Sequence, residues 1–347
     1  MRRRSAIAVA LQGLAAALVA RPAASQTLAT IRVGILTSTT DAPLWIADRL
    51  GYFKDEGLAV QFLTFTSGET MIAPLSTGGL DVGGGSAAAS FYNAVARGAD
   101  IRIVADLGSD PPGYGFVQML VRSDLVKSGR YRTFRDMKGM TLAANAPGSP
   151  GLPPIAKFLA KAGLTLDDVK VIYLPYTQHG IALKNGSVDA AQTLEPFATD
   201  AVKNGYAVKI AGDDQYYPNQ QISVVMFGGA FTHAHRDQGV RFLRAFIKGS
   251  RFYNDALAGG RLAGPNADAV VKLLNDETKM DPAILRDIVP TGCNPDGQLN
   301  VASLRDDLAF FKAHGYIEGT VTTEGSVDTS FAAEARRGLG RYQPAKR

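Results

Sequence analysis

Short apolar runs alternate along the chain with stretches in which apolar residues recur every three or four positions. Ile31-Arg32-Val33-Gly34-Ile35-Leu36 predicts a strand. Residues 43–50 predict a helix with Pro43 in its first turn, stopped at Gly51. Strands are then predicted at 58–65, 80–82 and 101–107, with helices at 68–75 and 87–96 between them. The alternation restarts after Val117-Gln118-Met119-Leu120-Val121. Further strands are expected at 141–144, 170–174, 190–194 and 207–211, and helices run to 162, over 178–184 and over 196–204. Strands separated by single helices predict an α/β fold with parallel sheets covered on both faces. After a strand at 222–227 the pattern turns helical. Residues 238–257 carry an apolar stripe of Val240, Leu243, Phe246, Ile247 and Phe252, and helices follow at 267–274, 282–288 and 301–313.

An internal echo supports two units of similar build. Leu75-Ser76-Thr77-Gly78-Gly79-Leu80-Asp81 matches Leu183-Lys184-Asn185-Gly186-Ser187-Val188-Asp189, 108 residues later (189 minus 81). Each runs from the last turn of a predicted helix, through Gly, to an apolar residue and Asp. Gly at a helix end accepts the left-handed conformation that closes it.

The N-terminus changes the reading of charge. Arg2, Arg3 and Arg4 precede an uncharged apolar run, 6–20, and then Arg21-Pro22-Ala23-Ala24-Ser25. That layout predicts a signal peptide over 1–25, cleaved after Ser25, and an exported, periplasmic protein. The chain has 37 Lys and Arg against 32 Asp and Glu. Removing the four arginines of 1–25 leaves 33 against 32, a net of +1. Such a balance gives no basis for nucleic-acid binding. One cysteine, Cys293, excludes an internal disulfide framework.

Catalytic patterns are missing. His179, His233, His235 and His314 are scattered, and His233-x-His235 has no Cys or Glu at a supporting metal-ligand spacing. No Ser lies in a nucleophile elbow, and no phosphate loop is present. The informative segments are loops that follow predicted strands: 37–42, 67–70, Gly83-Gly84-Gly85-Ser86 and 145–149. In open α/β sheets ligands sit beyond the carboxyl ends of strands. The triple glycine brings backbone close to something, either a ligand at a helix start or a packed neighbour. Trp45 either stacks on a ligand or packs in the core. Glu195, before Pro196, either accepts from a ligand or caps the following helix. Tyr114, Phe116, Tyr176 and Phe197 line a pocket or pack as core.

Residues 39–60 resemble the opening of the NMT1/THI5-like solute-binding proteins of ABC transporters. The likeness is carried by Pro43-Leu44-Trp45-Ile46-Ala47 and Gly51-Tyr52-Phe53-Lys54-Asp55-Glu56-Gly57-Leu58, with support from Gly79-Leu80-Asp81-Val82, residues 185–190 and Glu195-Pro196. The resemblance extends over about 30–257. It implies a two-lobed type II periplasmic-binding-protein fold, each lobe a mostly parallel sheet flanked by helices, with two crossover strands near 117–121 and 221–227. Lobe one would be 30–120 plus 225–347, and lobe two 121–224. It implies capture of a small-molecule ligand without a cofactor or turnover, and delivery to an ABC permease and ATPase at the inner membrane. A same-fold ligand sensor and a pyrimidine-precursor-synthesis-like enzyme are the alternatives. The matching pocket positions are Ser38, Thr39, Trp45, Gly68, Glu69, Ser86, Ala87, Asn145, Gly148, Ser149, Gln178 and Glu195. No Arg or Lys is clearly assigned to the cleft, so both an oxyanion and an uncharged or aromatic organic ligand remain open.

Overall fold

The computed structural model describes residues 28–345, so the predicted signal peptide lies outside the described residues. Ten strands form two five-stranded sheets. They are β1 (Ala29–Ile35), β2 (Leu58–Thr64), β3 (Val82–Gly85), β4 (Ile101–Ser109), β5 (Val117–Arg122), β6 (Thr141–Ala144), β7 (Lys170–Tyr173), β8 (Ala190–Leu194), β9 (Ala207–Gly212) and β10 (Gln221–Gly228). The first sheet has the order β2-β1-β3-β10-β4 and the second β7-β6-β8-β5-β9.

The two orders are the same topology. β1, β2 and β3 correspond to β6, β7 and β8, and β10 and β4 correspond to β5 and β9. The sheets are mostly parallel, as expected: four strands of each run one way and one runs against them. β10 runs antiparallel to β3 and β4, and β5 runs antiparallel to β8 and β9. The cause is the route of the chain. After β4 it crosses into the second sheet, and after β9 it crosses back, so each crossing delivers one strand from the opposite end. The crossing segments, 110–116 and 213–220, are hydrogen-bonded to each other. Asp110 N donates to Gln220 O (3.2 Å), and Asn219 N donates to Asp110 O (2.7 Å).

The sequence echo marks corresponding corners. The helices Ile72–Thr77 and Tyr176–Asn185 end on left-handed Gly78 (φ 75°) and Gly186 (φ 77°). Asp81 N then donates to Arg32 O and Asp189 N to Thr141 O. Their carboxylates accept in return from Arg32 N (2.8 Å) and Thr141 N (3.0 Å). Each Asp thus fixes the start of one strand against its neighbour, at the end of the sheet opposite the loops 37–42 and 145–149.

Apolar faces explain the rest. The helix Arg236–Asn254 buries Val240, Leu243, Phe246 and Ile247 against the first sheet, in a core with Val33, Val82, Val104 and Phe227. It stops three residues short of expectation because Leu257–Ala258 pairs with Arg261–Leu262 in a small hairpin. The helix Val301–Ala313 buries Leu304, Leu308 and Phe311 in the first lobe. Its Phe310, with Tyr316 beyond it, also packs on the core of the second.

One local expectation is corrected. Gly83, Gly84 and Gly85 are strand residues of β3 and not a loop, and the helix after them begins at Ala89. A Cβ on Gly83 would lie 3.0 Å from Leu75 Cδ1, and one on Gly85 2.9 Å from Met226 Cε, so side chains are excluded by packing. The His233-x-His235 pair is divided between elements. His233 lies in the helix Gly229–Ala234 and bonds Asp100 (2.7 Å), and His235 follows that helix. Among the described residues no group of three or more His, Cys, Asp or Glu is placed to hold a metal, and no helix is long and apolar enough to cross a membrane.

Candidate functional site

The loops beyond β1, β2 and β3 face those beyond β6, β7 and β8. After β1, Ser38 caps a short turn over Thr39–Asp41. Its hydroxyl accepts from Thr40 N (3.2 Å), and Asp41 Oδ2 accepts from Ser38 N (2.9 Å) and Leu36 N (3.2 Å). This reciprocal cap satisfies backbone donors that the tight turn leaves over. Thr39 is buried with it. Asp41 is 1 % exposed, and its Oδ1 has no partner. Burial pushes its carboxyl up to about 7, against the lowering effect of the N–H groups of Ser38, Leu36 and Thr37.

Gly68 lies against β3: a Cβ there would come within 3.3 Å of Ser86 N and 3.5 Å of Gly85 Cα. Glu69 is exposed beside it, Ser86 is half-buried and Ala87 is buried. Across the gap, Asn145 is half-buried, and Gly148 O accepts from Ala89 N (3.0 Å). That bond joins the lobes directly. Tyr173 and Tyr316 meet through their hydroxyls (3.2 Å), and Lys157 reaches Asp306 (3.3 Å). Ser149 is 5 % exposed, and its hydroxyl has no partner.

Two of the expected residues are buried and engaged elsewhere, and a third is exposed. Trp45 is 2 % exposed within the first-lobe core. Gln178 is exposed in the first turn of its helix. Glu195 is buried and fully engaged: it accepts from Gln118 Nε2 (2.5 Å), Thr199 N (2.9 Å), Thr199 Oγ1 (3.0 Å) and Val289 N (3.3 Å). Its carboxylate thereby caps the helix Phe197–Lys203, and the peptide bond to Pro196 is cis.

Gln192, outside the expected set, and Tyr176, expected to line a pocket or pack as core, belong with these loops. Gln192, on β8, is 1 % exposed. Its Nε2 donates to Asp213 Oδ2 (3.2 Å), its Oε1 has no partner, and a Cβ on Gly151 would collide with that oxygen. Tyr176 lies close by, its hydroxyl 3.7 Å from the same Gly151 Cβ position. Burial first, then the negative charges of Asp213 and Glu69, push its phenol up. A signal for Gln192 existed: the offset of 108 that carries Asp81 to Asp189 carries Gly84 to Gln192. For Asp41 it was the Ser38-x-x-Asp41 spacing of a capping box.

The crossing segments add buried acid. Asp110 and Asp213 are both fully buried. Burial raises both carboxyls well above the usual range, and each is pushed further by neighbouring carboxylates. Tyr216 donates its hydroxyl to Asp213. Two open cavities of about 460 Å³ lie away from these loops. One is bounded by Arg122, Lys184 and Tyr206 at the far end of the second sheet, the other by Asp106, Asn219 and Asn294 on the flank of the crossings.

Comparison with known proteins places this arrangement. The sequence profile of the NMT1-like family matches residues 24–263. A protein of Bacillus subtilis (strain 168) named as an aliphatic sulfonates-binding protein is 29% identical over 228 residues. The match covers 63% of this chain and 63% of that protein. A structure of the alkanesulfonate-binding protein of Xanthomonas axonopodis pv. citri bound to MOPS superposes with a TM-score of 0.67 at 19% identity, over 86% of this chain and 98% of that one. A desulfurization enzyme superposes with a TM-score of 0.63 at 13% identity, over 90% of this chain and 99% of its own. At these identities the two superpositions speak for the fold alone.

Proposed function

We propose that this chain, which belongs to the NMT1-like family, is the extracytoplasmic solute-binding component of an ABC importer. It captures a small organic or oxyanionic ligand between its lobes and passes it to a membrane permease and ATPase. The observation that carries this reading is the pairing of two sheets of one topology, with strand-end loops facing each other and only two crossing segments between them. Such a molecule closes by bending at the crossings, and the ligand is held by groups from both sides. The proposed lobes are 30–120 plus 225–347, and 121–224, with residues 1–25 removed on export to the periplasm. The pocket is proposed to draw on Ser38, Thr39, Gly68, Glu69, Ser86, Ala87, Asn145, Gly148, Ser149 and Gln178.

Turnover has little support in these residues. Cys293 is a buried thiol whose pKa burial raises well above the ordinary value, and Asn254 Nδ2 donates to its sulfur (3.3 Å). It is therefore a poor nucleophile. The test is equilibrium binding on the purified exported protein, combined with small-angle scattering and product analysis. One ligand per chain, a more compact liganded form and unchanged ligand after prolonged incubation are expected. A chemically altered ligand would replace this reading with the enzymatic one.

A further inference from the structure

The charge around the cleft is one-sided. The loop and crossing segments 36–42, 65–71, 85–89, 107–116, 145–151, 174–178, 194–196 and 212–220 contain no Lys, Arg or His. They contain Asp41, Glu69, Asp110, Glu195, Asp213 and Asp214. Lys209, whose charge is felt by Asp110 and Glu195, is exposed on β9. His179 bonds Leu174 O through Nε2 (2.9 Å), and burial lowers its pKa, which keeps the ring neutral. Two of the helix N-termini at this end, the usual cation-free answer to an anion, are set against one. Asp41 stands at the N-cap of Ala42–Arg49, and Ala89 N at the start of its helix is spent on Gly148 O.

What this end of the lobes adds is buried side-chain oxygens without partners, among them the Ser149 hydroxyl, which can donate or accept, and two oxygens on Asp41 and Gln192. Asp41 Oδ1 and Gln192 Oε1 are both unpartnered, on residues that are each 1 % exposed. They occupy equivalent places. Gln192 is the second-lobe counterpart of Gly84, and Asp41 Oδ1 lies 3.5 Å from where a Gly84 Cβ would be. One oxygen arrives from the turn after β1, the other from β8 itself. The orientation of the Gln192 amide is held by Asp213. One Asp213 oxygen receives its Nε2 and the other the Tyr216 hydroxyl. Asp41 Oδ1 is an acceptor in the ionised form of that carboxyl, and a buried acceptor without a partner costs roughly 1–3 kcal/mol, which a ligand donor recovers.

We infer that the ligand is an amine- or amide-bearing organic solute, neutral or cationic, that donates hydrogen bonds to Asp41 Oδ1 and Gln192 Oε1, and not a sulfonate or nitrate. The inference rests on the solute-binding reading above and narrows it. Asp41 is then a first-lobe anchor, Gln192 a second-lobe anchor, and Asp213 the residue that positions Gln192.

The test is a thermal-shift and calorimetric panel on the mature full chain. Agmatine, ethanolamine, benzamide and benzamidine form one arm, and ethanesulfonate and nitrate the other. Native mass spectrometry of protein taken from its export compartment identifies any ligand already bound. Expected is binding in the first arm, weakened roughly tenfold or more by Asp41→Asn, which exchanges an acceptor for a donor, and by Gln192→Leu. Melting temperatures of the two unliganded variants verify that they fold. Binding of ethanesulfonate or nitrate overturns the ligand class and leaves the solute-binding reading standing. Amine or amide binding unaffected by either variant overturns the two anchors. No binding in either arm, with protein that carries nothing from its compartment, overturns both readings.

Discussion

Strand β3 of the first sheet reads Val82-Gly83-Gly84-Gly85. Strand β8, at the same place in the second, reads Ala190-Ala191-Gln192-Thr193-Leu194. The scaffold around them is shared down to the Asp81 and Asp189 corners. The difference lies in who supplies the polar groups. Glycine leaves room in the first lobe, and Asp41 fills part of it from the preceding turn. In the second lobe the strand carries the amide itself. Beyond the strand the contrast repeats, since the offset sets Ala87 opposite Glu195. One topology therefore tolerates two solutions at the end that carries the facing loops, while the far corners use one.

The largest expected effect comes from pH, because Asp41 titrates and Gln192 does not. The folded-state pKa of Asp41 is raised to about 7 from an ordinary 3.8. The native state thus holds a proton that the unfolded chain releases. That contribution is full below about pH 4 and is lost as pH rises through about 7. Asp106, raised to about 6 by burial, and Asp307, raised to about 7 by burial, act in the same sense. Denaturant titrations should give a lower unfolding free energy at pH 8 than at pH 5, and Asp41→Asn should flatten that slope. A slope unchanged in the variant would remove Asp41 from the account.

Next in size is Glu195→Ala, which gives the second lobe the residue of the first. It strips Gln118, Thr199 and Val289 of a shared acceptor and should cost about 3 kcal/mol in urea unfolding. The reverse exchange, Gly84→Gln, forces a Cβ to within 3.0 Å of Leu107 Cδ2 and should cost about 1–3 kcal/mol and abolish ligand binding. Smallest are Asp81→Ala and Asp189→Ala, about 1–2 kcal/mol each. Equal losses would sharpen the equivalence of the two corners. A loss confined to one of them would break it.

Much of the α/β alternation was legible because burial on one face leaves a period in the sequence, and the Gly-to-Asp echo located both corners. The antiparallel strands were not, because the neighbours of β5 and β10 are fixed by crossings that no local pattern encodes. The triple glycine looked like a loop because its reason, the Met71, Leu75 and Met226 side chains, comes from other elements. Gln192 was hidden inside a run that reads as buried strand. Glu195 was visible as a candidate, and its partners on β5 and near 289 are what make it a cap.

The second sheet is made from one unbroken stretch, β5 to β9, and the first is split around it. The chain enters and leaves that stretch through segments tied together at Asp110, Asn219 and Gln220. A stretch whose two ends lie side by side is exchangeable as a cassette. Relatives could trade their second lobes by cutting at this one doorway, and a designer could give one half of the trap a new palate while leaving the other untouched.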